Sequence, residues 1–379
     1  MVSPRQRLAV GALLLLIGVA GCGGAANRGT PATVAGSSSK TGSSPTASAK
    51  PILIAVAEVP TGGYNAGPTP VRFMQPDGKE VSRVTVKQGV TQVAAAAGSR
   101  VFVLEENGIL KAVHRDGSVE DLGSLGDRSP SRFTVSPDGH RWMWGTFDGQ
   151  TSQVHLAGDG LAPRVVAESH GNERAIQPYA WTPVGAFLVD SPVGIGGYIL
   201  FNPAPGPVRR VDLTSFTTSP VAYTDHCAFS DMSRDGTIAC FPPSANQNSR
   251  SLSLIAPNGS ARTIQLAMPR FAQDGGAYFS ADGSQLTVGG ATSAGASGQP
   301  EQYGTDVVTT KDASIRRLST DGVRPSDELR AGTWLDDGSV IVWRPDGAAG
   351  GPPGVFVVSP SGKVTQLGGR GMPIGLMSG

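Results

Sequence analysis

Aromatic side chains make up only 6% of this 379-residue chain, and helix-breaking residues are plentiful, with 52 glycines and 29 prolines. Glycine loses the most backbone entropy on folding and proline breaks the helical hydrogen-bond ladder, so long helices are not expected. Short strands joined by tight turns suit this composition better. The chain also lacks an excess of charge of either sign, with Lys+Arg 31 against Asp+Glu 30. Nothing basic is in surplus to release counterions from a phosphate backbone, so nucleic acid is not an expected partner. With 5 histidines and 3 cysteines, metal ligands are scarce. His114, His140 and His155 have no partner at ligand spacing, so no metal site and no cofactor are expected. Enzyme signatures are missing as well: there is no Gly-x-Ser-x-Gly elbow and no Walker loop. Gly194, Gly196 and Gly197 lie between two predicted strands, without the helix that a dinucleotide fingerprint needs.

One apolar run breaks the pattern. Leu8 to Val19 follows Arg5 and Arg7 and is too short to span a hydrocarbon core of roughly 30 Å, so it reads as a cleaved leader, residues 1–21. The run ends in Val19, Ala20, Gly21 and Cys22, which resembles the bacterial lipobox. That resemblance implies that Cys22 takes a diacylglycerol and becomes the mature N-terminus, tying the protein to a membrane by lipid on the extracytoplasmic side. The alternative is an ordinary secretory leader with a chance cysteine. Residues 23–50 contain almost nothing but Gly, Ala, Ser, Thr, Pro and Asn. Such a segment cannot offset its chain entropy by burial and is expected to be a disordered tether spanning roughly 30 Å, so residues 22–50 form the lipidated linker. Once Cys22 is lipidated, Cys227 and Cys240 remain, an even count in an oxidising compartment. A disulfide between them is expected, and two buried free thiols are the alternative.

From residue 51 onward a phrase recurs: an apolar strand, an Asp-Gly turn, another apolar strand. Phe133 to Gly139 runs into Arg141 to Trp144, Tyr278 to Gly283 into Gln285 to Val288, Trp334 to Gly338 into Val340 to Trp343, and Met232 to Gly236 into Ile238 to Phe241. Gly accepts positive φ without steric cost and Asp tolerates it, so each copy predicts a hairpin. A second set of turns alternates with the first, at Asp77-Gly78, Asp116-Gly117, Asp159-Gly160, Asn258-Gly259 and Ser361-Gly362. Two hairpins make a four-stranded unit of about 40 residues, the period of a β-propeller blade. The first set resembles the WD40-like repeats of the TolB type, most fully at Ser136 to Gly139 and nearly so at Ser280 to Gly283. This resemblance implies a fold and no chemistry. Six complete blades fall at about 90–122, 131–167, 177–213, 226–266, 275–318 and 331–367. The strands before them number three, and Met372 to Met377 at the far end can supply a fourth. An all-β, seven-bladed propeller over residues 51–379, closed by both chain ends, is therefore expected, because closure removes exposed sheet edges.

Propeller topology separates two faces. Turns between strands one and two, and three and four, share one face. Loops between strands two and three, together with the blade links, share the other. The tight Asp-Gly turns belong to the first face, and the longer loops around residues 61–69, 244–250, 291–304 and 345–353 belong to the second. Binding groups concentrate in such loops, so the candidates are His170, Glu173, Arg174, Asp225, His226 and Arg270. Each has a plain alternative: His170 and Glu173 can be chance neighbours in a polar loop, and His226 a satisfied structural histidine beside Cys227. The sequence favours a non-catalytic binding or scaffold module for a protein or an envelope polymer. The alternative is a propeller enzyme of lactonase, cyclase or quinone-dependent dehydrogenase type, with its site at the channel mouth.

Overall fold

The computed structural model describes residues 52–58, 67–87, 90–105, 107–126, 132–193, 204–242, 251–266, 273–292, 302–318, 329–344 and 351–378. The described residues all belong to one compact unit, residues 49–379. Cys22, the tether, Arg270 and most of the longer second-face loops lie outside the described residues.

The chain opens with β1 (Leu53–Glu58), β2 (Thr69–Met74) and β3 (Glu80–Val86). The next four strands form one sheet: β4 (Val90–Ala97), β5 (Arg100–Glu105), β6 (Ile109–His114) and β7 (Val119–Ser124). They are followed by β8 (Arg132–Val135), β9 (Arg141–Phe147), β10 (Thr151–Gly158) and β11 (Leu161–His170). β12 (Arg174–Thr182) and β13 (Gly185–Pro192) begin the next sheet, and a short strand β14 (Ala204–Pro205) follows. β15 (Val208–Val211) and β16 (Thr218–Pro220) complete the β12 sheet. After it come β17 (Ala228–Met232), β18 (Ile238–Phe241), β19 (Ser251–Ile255) and β20 (Ala261–Gln265). The last two sheets are β21 (Gln273–Phe279), β22 (Gln285–Thr292), β23 (Gln302–Thr309), β24 (Ile315–Arg317), and then β25 (Arg330–Trp334), β26 (Val340–Arg344), β27 (Gly354–Val358), β28 (Val364–Gly368). Finally β29 (Gly371–Met377) pairs antiparallel with β1, Leu53 opposite Met377 and Glu58 opposite Gly371. The order β29-β1-β2-β3 makes the seventh sheet, so both ends of the propeller domain close one blade. All the sheets are antiparallel; the inner strands of successive blades lie against one another from β29 round to β25, and the last blade meets β29 through β26 and β27. The protein is an all-β, seven-bladed β-propeller.

The core lies between blades. Val101, Val103 and Val113 of the second blade pack with Leu53, Val71, Phe73 and Met377 of the first, and equivalent clusters fill the other junctions. Alternation explains this: each strand sends successive side chains to opposite sheet faces, and both faces meet a neighbouring blade.

The Asp-Gly turns carry more than glycine's freedom. In the first-face turn between β21 and β22, Ser280 Oγ donates to Asp282 Oδ1 (2.7 Å) and accepts from the Gln285 amide (2.9 Å), while Asp282 accepts from the Ser284 amide (3.0 Å). Ser136 with Asp138, and Ser233 with Asp235, repeat the arrangement. These hydrogen bonds, led by the Ser280 hydroxyl, hold the Asp282 carboxyl down at about 2. The turn's support is therefore present above the ordinary carboxylate range and is lost only as pH falls toward that value. Ser280→Ala is expected to cost about 1–2 kcal/mol in urea unfolding at neutral pH; an unchanged midpoint would contradict this role for the hydroxyl. Neighbouring turns also interlock. The Gly98 amide donates to the Pro137 carbonyl (3.1 Å), and a Cβ on Gly98 would come within 2.3 Å of the Asp138 carbonyl oxygen. Only glycine permits that approach.

The fourth blade departs from its expected span of 177–213. Its last strand, β16, begins at Thr218, because the preceding turn is not an Asp-Gly turn. There Asp212 Oδ1 accepts from the Thr214 (2.7 Å) and Ser215 (3.1 Å) amides, and Phe216 takes the positive φ of 58° that glycine takes elsewhere. The loop before β15 adds a second feature. β14 crosses to the next blade and pairs with β17, Ala204 opposite Phe229 and Pro205 opposite Ala228.

Candidate functional site

The sequence candidates near the blade links do not form one cluster. His170 ends β11 with 74% of its side chain exposed, and its Nε2 lies 2.9 Å from Glu168 Oε1, so its carboxylate neighbour is Glu168 and not Glu173. Glu173 is exposed, and its carbonyl accepts from the Val193 amide (2.8 Å). Arg174 serves the blade: its Nε lies 3.0 Å from Asp190 Oδ1, and its terminal NH2 donates to the Asp190 carbonyl. That ties the start of β12 to the end of β13. Asp225 and His226 are exposed immediately before β17. Cys227 is buried and joined to Cys240 with Cα atoms 5.2 Å apart, linking β17 to β18. Among the described residues no group of three His, Cys, Asp or Glu side chains is placed to hold a metal ion.

A different set of contacts follows the inner strands at the seams between blades. Five consecutive inner strands each contribute a polar or aromatic side chain: Arg132 (β8), Tyr179 (β12), Asp231 (β17), Tyr278 (β21) and Arg330 (β25). The Arg132 guanidinium lies 4.4 Å from the centre of the Tyr179 ring. The Arg330 guanidinium lies 5.2 Å from the Trp343 ring centre and 5.9 Å from that of Tyr303. Stacking of this kind holds a guanidinium's plane while its donors point outward from the edges. Tyr278 is within electrostatic reach of Arg330, Tyr179 and Asp231, and burial pushes its phenol upward, so it stays a neutral donor. Spacing in sequence gave no hint of this set, because each member belongs to a different repeat. A signal existed only in the repeat alignment: Asp231 and Tyr278 each stand two residues before the turn serines Ser233 and Ser280.

Asp231 is the chemically unusual member. A bulge in the pairing of β17 with β18, between Phe229 and Asp231, turns Ser230 and Asp231 toward the next blade. Ser230 Oγ accepts from the Ala277 amide (2.9 Å) and Asp231 Oδ2 from the Phe279 amide (2.7 Å). Inner strands have one ladder unpaired, so these two side chains satisfy amides that no neighbouring strand reaches. Burial in this seam pushes the Asp231 carboxyl up to about 7, against the opposing pull of the Phe279 and Met232 amides. Asp231 thus holds its proton up to near neutrality.

No family model matches the chain. No curated relative matches it either. Solved structures do resemble it. A protein from Bacteroides fragilis provisionally assigned as a 6-phosphogluconolactonase is 12% identical, over 89% of this chain and 100% of that one, with a TM-score of 0.51. A protein from Agrobacterium tumefaciens provisionally assigned as TolB is 11% identical over 87% and 98% of the two chains, TM-score 0.39. A dihydro-heme d1 dehydrogenase is 13% identical over 89% and 77%, TM-score 0.47. At these identities the likeness is one of fold.

Proposed function

We propose that this protein is a lipid-anchored, extracytoplasmic binding module that engages a protein or polymer of the cell envelope without catalysing a reaction. Acyl chains on Cys22 hold it at the outer side of the cell membrane, and residues 23–50 give the propeller reach. What supports the reading is the contrast between the two faces. The first face is sewn shut by serine–aspartate turns and by interblade bonds such as Arg100 to Asp159 (2.9 Å). Two adjacent blade links on the second face instead present exposed ionisable groups: Glu168 and His170 with Glu173 at one, Asp225 and His226 at the other. Charged, hydrated groups of this kind suit the rim of a protein interface and govern its on-rate and salt dependence.

The test is crosslinking of the lipidated protein in its native envelope, comparing wild type with the triple variant His170→Ala, Glu173→Ala, His226→Ala. One specific partner, recovered at least about tenfold less with the variant at unchanged melting temperature, is the expected result. Equal recovery by both, or no specific partner, would overturn the reading. A catalytic reading has one feature on its side, a carboxyl that burial pushes up to about 7 beside the half-buried Tyr278, which is equipment for acid–base chemistry. Metal analysis of the purified full chain separates the two, since stoichiometric calcium or zinc would favour an enzyme.

A further inference from the structure

The link from β16 to β17 is fixed at every third residue. The Val221 amide donates to the Val208 carbonyl (2.9 Å). Thr224 is fully buried, its Oγ1 donating to the Val221 carbonyl (2.8 Å) and accepting from the Val208 amide (2.9 Å). The Cys227 amide donates to the Thr224 carbonyl (3.1 Å), the Cys227 carbonyl accepts from the Gly206 amide (2.8 Å), and the sulfur is bonded to Cys240. Between these anchors Ala222, Tyr223, Asp225 and His226 are all exposed, so a preorganised link presents them to solvent.

Tyr223 is the unusual one. It is 69% exposed, whereas the other exposed large apolar residues among those described are valines at 47% or less. Its φ is 65°, a strained value for a residue with a Cβ. Phe216 and Ala313 take such values inside turns between the third and fourth strands of their blades; Tyr223 takes it in a blade link. Its ring lies against Gly259 in the β19–β20 turn, where a Cβ would come within 2.0 Å of it. Backbone strain that holds an aromatic ring in water does nothing for the core and points to a ligand. The surroundings decide its class. A protein hot spot seats its aromatic among neighbours that exclude water, but the exposed polar groups here are Asp225, His226 and, beside Gly259, Asn258. A pyranose matches that mixture: its C–H bonds suit the negative face of an aromatic ring, and its hydroxyls suit carboxylate, imidazole and amide. A polymer bearing carboxylates would meet like charge at Asp225.

We propose that Tyr223, Asp225 and His226 form a binding site for an uncharged polysaccharide, with the aromatic ring covering the C–H face of one pyranose unit. This names the partner class of the binding-module reading and rests on it, since Asp225 and His226 belong to the surface proposed there.

The test is calorimetric titration of the full chain carrying Cys22→Ser with cellohexaose, mannohexaose, xylohexaose and the acidic hexagalacturonate as probes. At least one uncharged probe is expected to bind saturably at one site, at least about tenfold more tightly than hexagalacturonate. Tyr223→Leu keeps apolar bulk without the aromatic face and is expected to weaken that binding at least about tenfold, Tyr223→Phe by about threefold or less, and Lys363→Gln in the seventh blade not at all. The melting temperature of each variant reports folding. Should Tyr223→Leu disturb the link, Tyr223→Asn accepts positive φ more readily and is expected to lose binding at an unchanged or higher melting temperature. Undiminished binding by Tyr223→Leu, or hexagalacturonate bound as tightly as the uncharged probes, would overturn the proposal. No binding at about 10 mM probe, with a protein still captured by crosslinking in the envelope, would overturn it alone; no binding and no captured partner would overturn the binding-module reading with it.

Discussion

Asp231→Asn is expected to stabilise the protein at and above neutral pH and to leave its stability unchanged in acid. The carboxyl rises from 3.8 in the unfolded chain to about 7 in the seam between the fifth and sixth blades. Between those values the folded state keeps a proton that the unfolded state has released, so wild-type stability falls as pH rises through that window and is level above it. A shift of that size corresponds to about 4 kcal/mol if the seam stays dry, and to less in proportion as channel water solvates the anion. Asparagine has a side-chain oxygen for the Phe279 amide and no ionisation to suppress, so its curve should be level across the same window. Urea midpoints measured from acid to mildly alkaline pH check this. Two curves that stay parallel from pH 4 to pH 8, on the order of the window the shift defines, would mean that Asp231 is already ionised in the folded protein.

Ending the chain at Arg370 is expected to have a larger effect, and of the opposite sign. It removes β29, the inner strand of the first blade, and with it the buried Met377 and the half-buried Ile374 and Leu376. At about 2 kcal/mol for each large apolar side chain, packing alone loses on the order of 5 kcal/mol, comparable with the whole stability of many domains. The backbone loses as much again in kind. β1, whose residues Leu53 to Ala57 are all buried, becomes an unpaired apolar edge that invites association with other chains. The truncated protein is expected to aggregate or to lose its cooperative melting transition, and a synthetic peptide of residues 371–379 added during refolding is expected to restore solubility. A soluble truncated protein that melts like wild type would show that the ring does not depend on this closure.

Much of the architecture was readable in the chain before any fold was known. Asp-Gly turns at Asp138, Asp282 and Asp337, flanked by alternating strands, are local features, and their spacing reported four-stranded blades and a ring closed by Met372 to Met377. The end of the fourth blade is not legible in the sequence, because Asp212 and Phe216 build a turn without the glycine that marks the others. The crossing of Ala204 and Pro205 to β17 had no sequence sign at all, since a two-residue strand carries no periodicity. The seam contacts of Arg132 with Tyr179 and of Arg330 with Tyr303 were equally silent.

By itself, then, the amino-acid sequence determined how many ribbons there are, where they turn and which two ends meet, because turn chemistry and strand alternation act over a few residues. Only the tertiary structure decided that Arg132 would stack on Tyr179 and that Asp231 would meet the Phe279 amide 48 residues away. Those contacts join neighbouring blades or neighbouring strands, and what sets them is the angle at which one sheet meets the next, together with bulges such as the one at Ser230, which no local pattern of residues encodes.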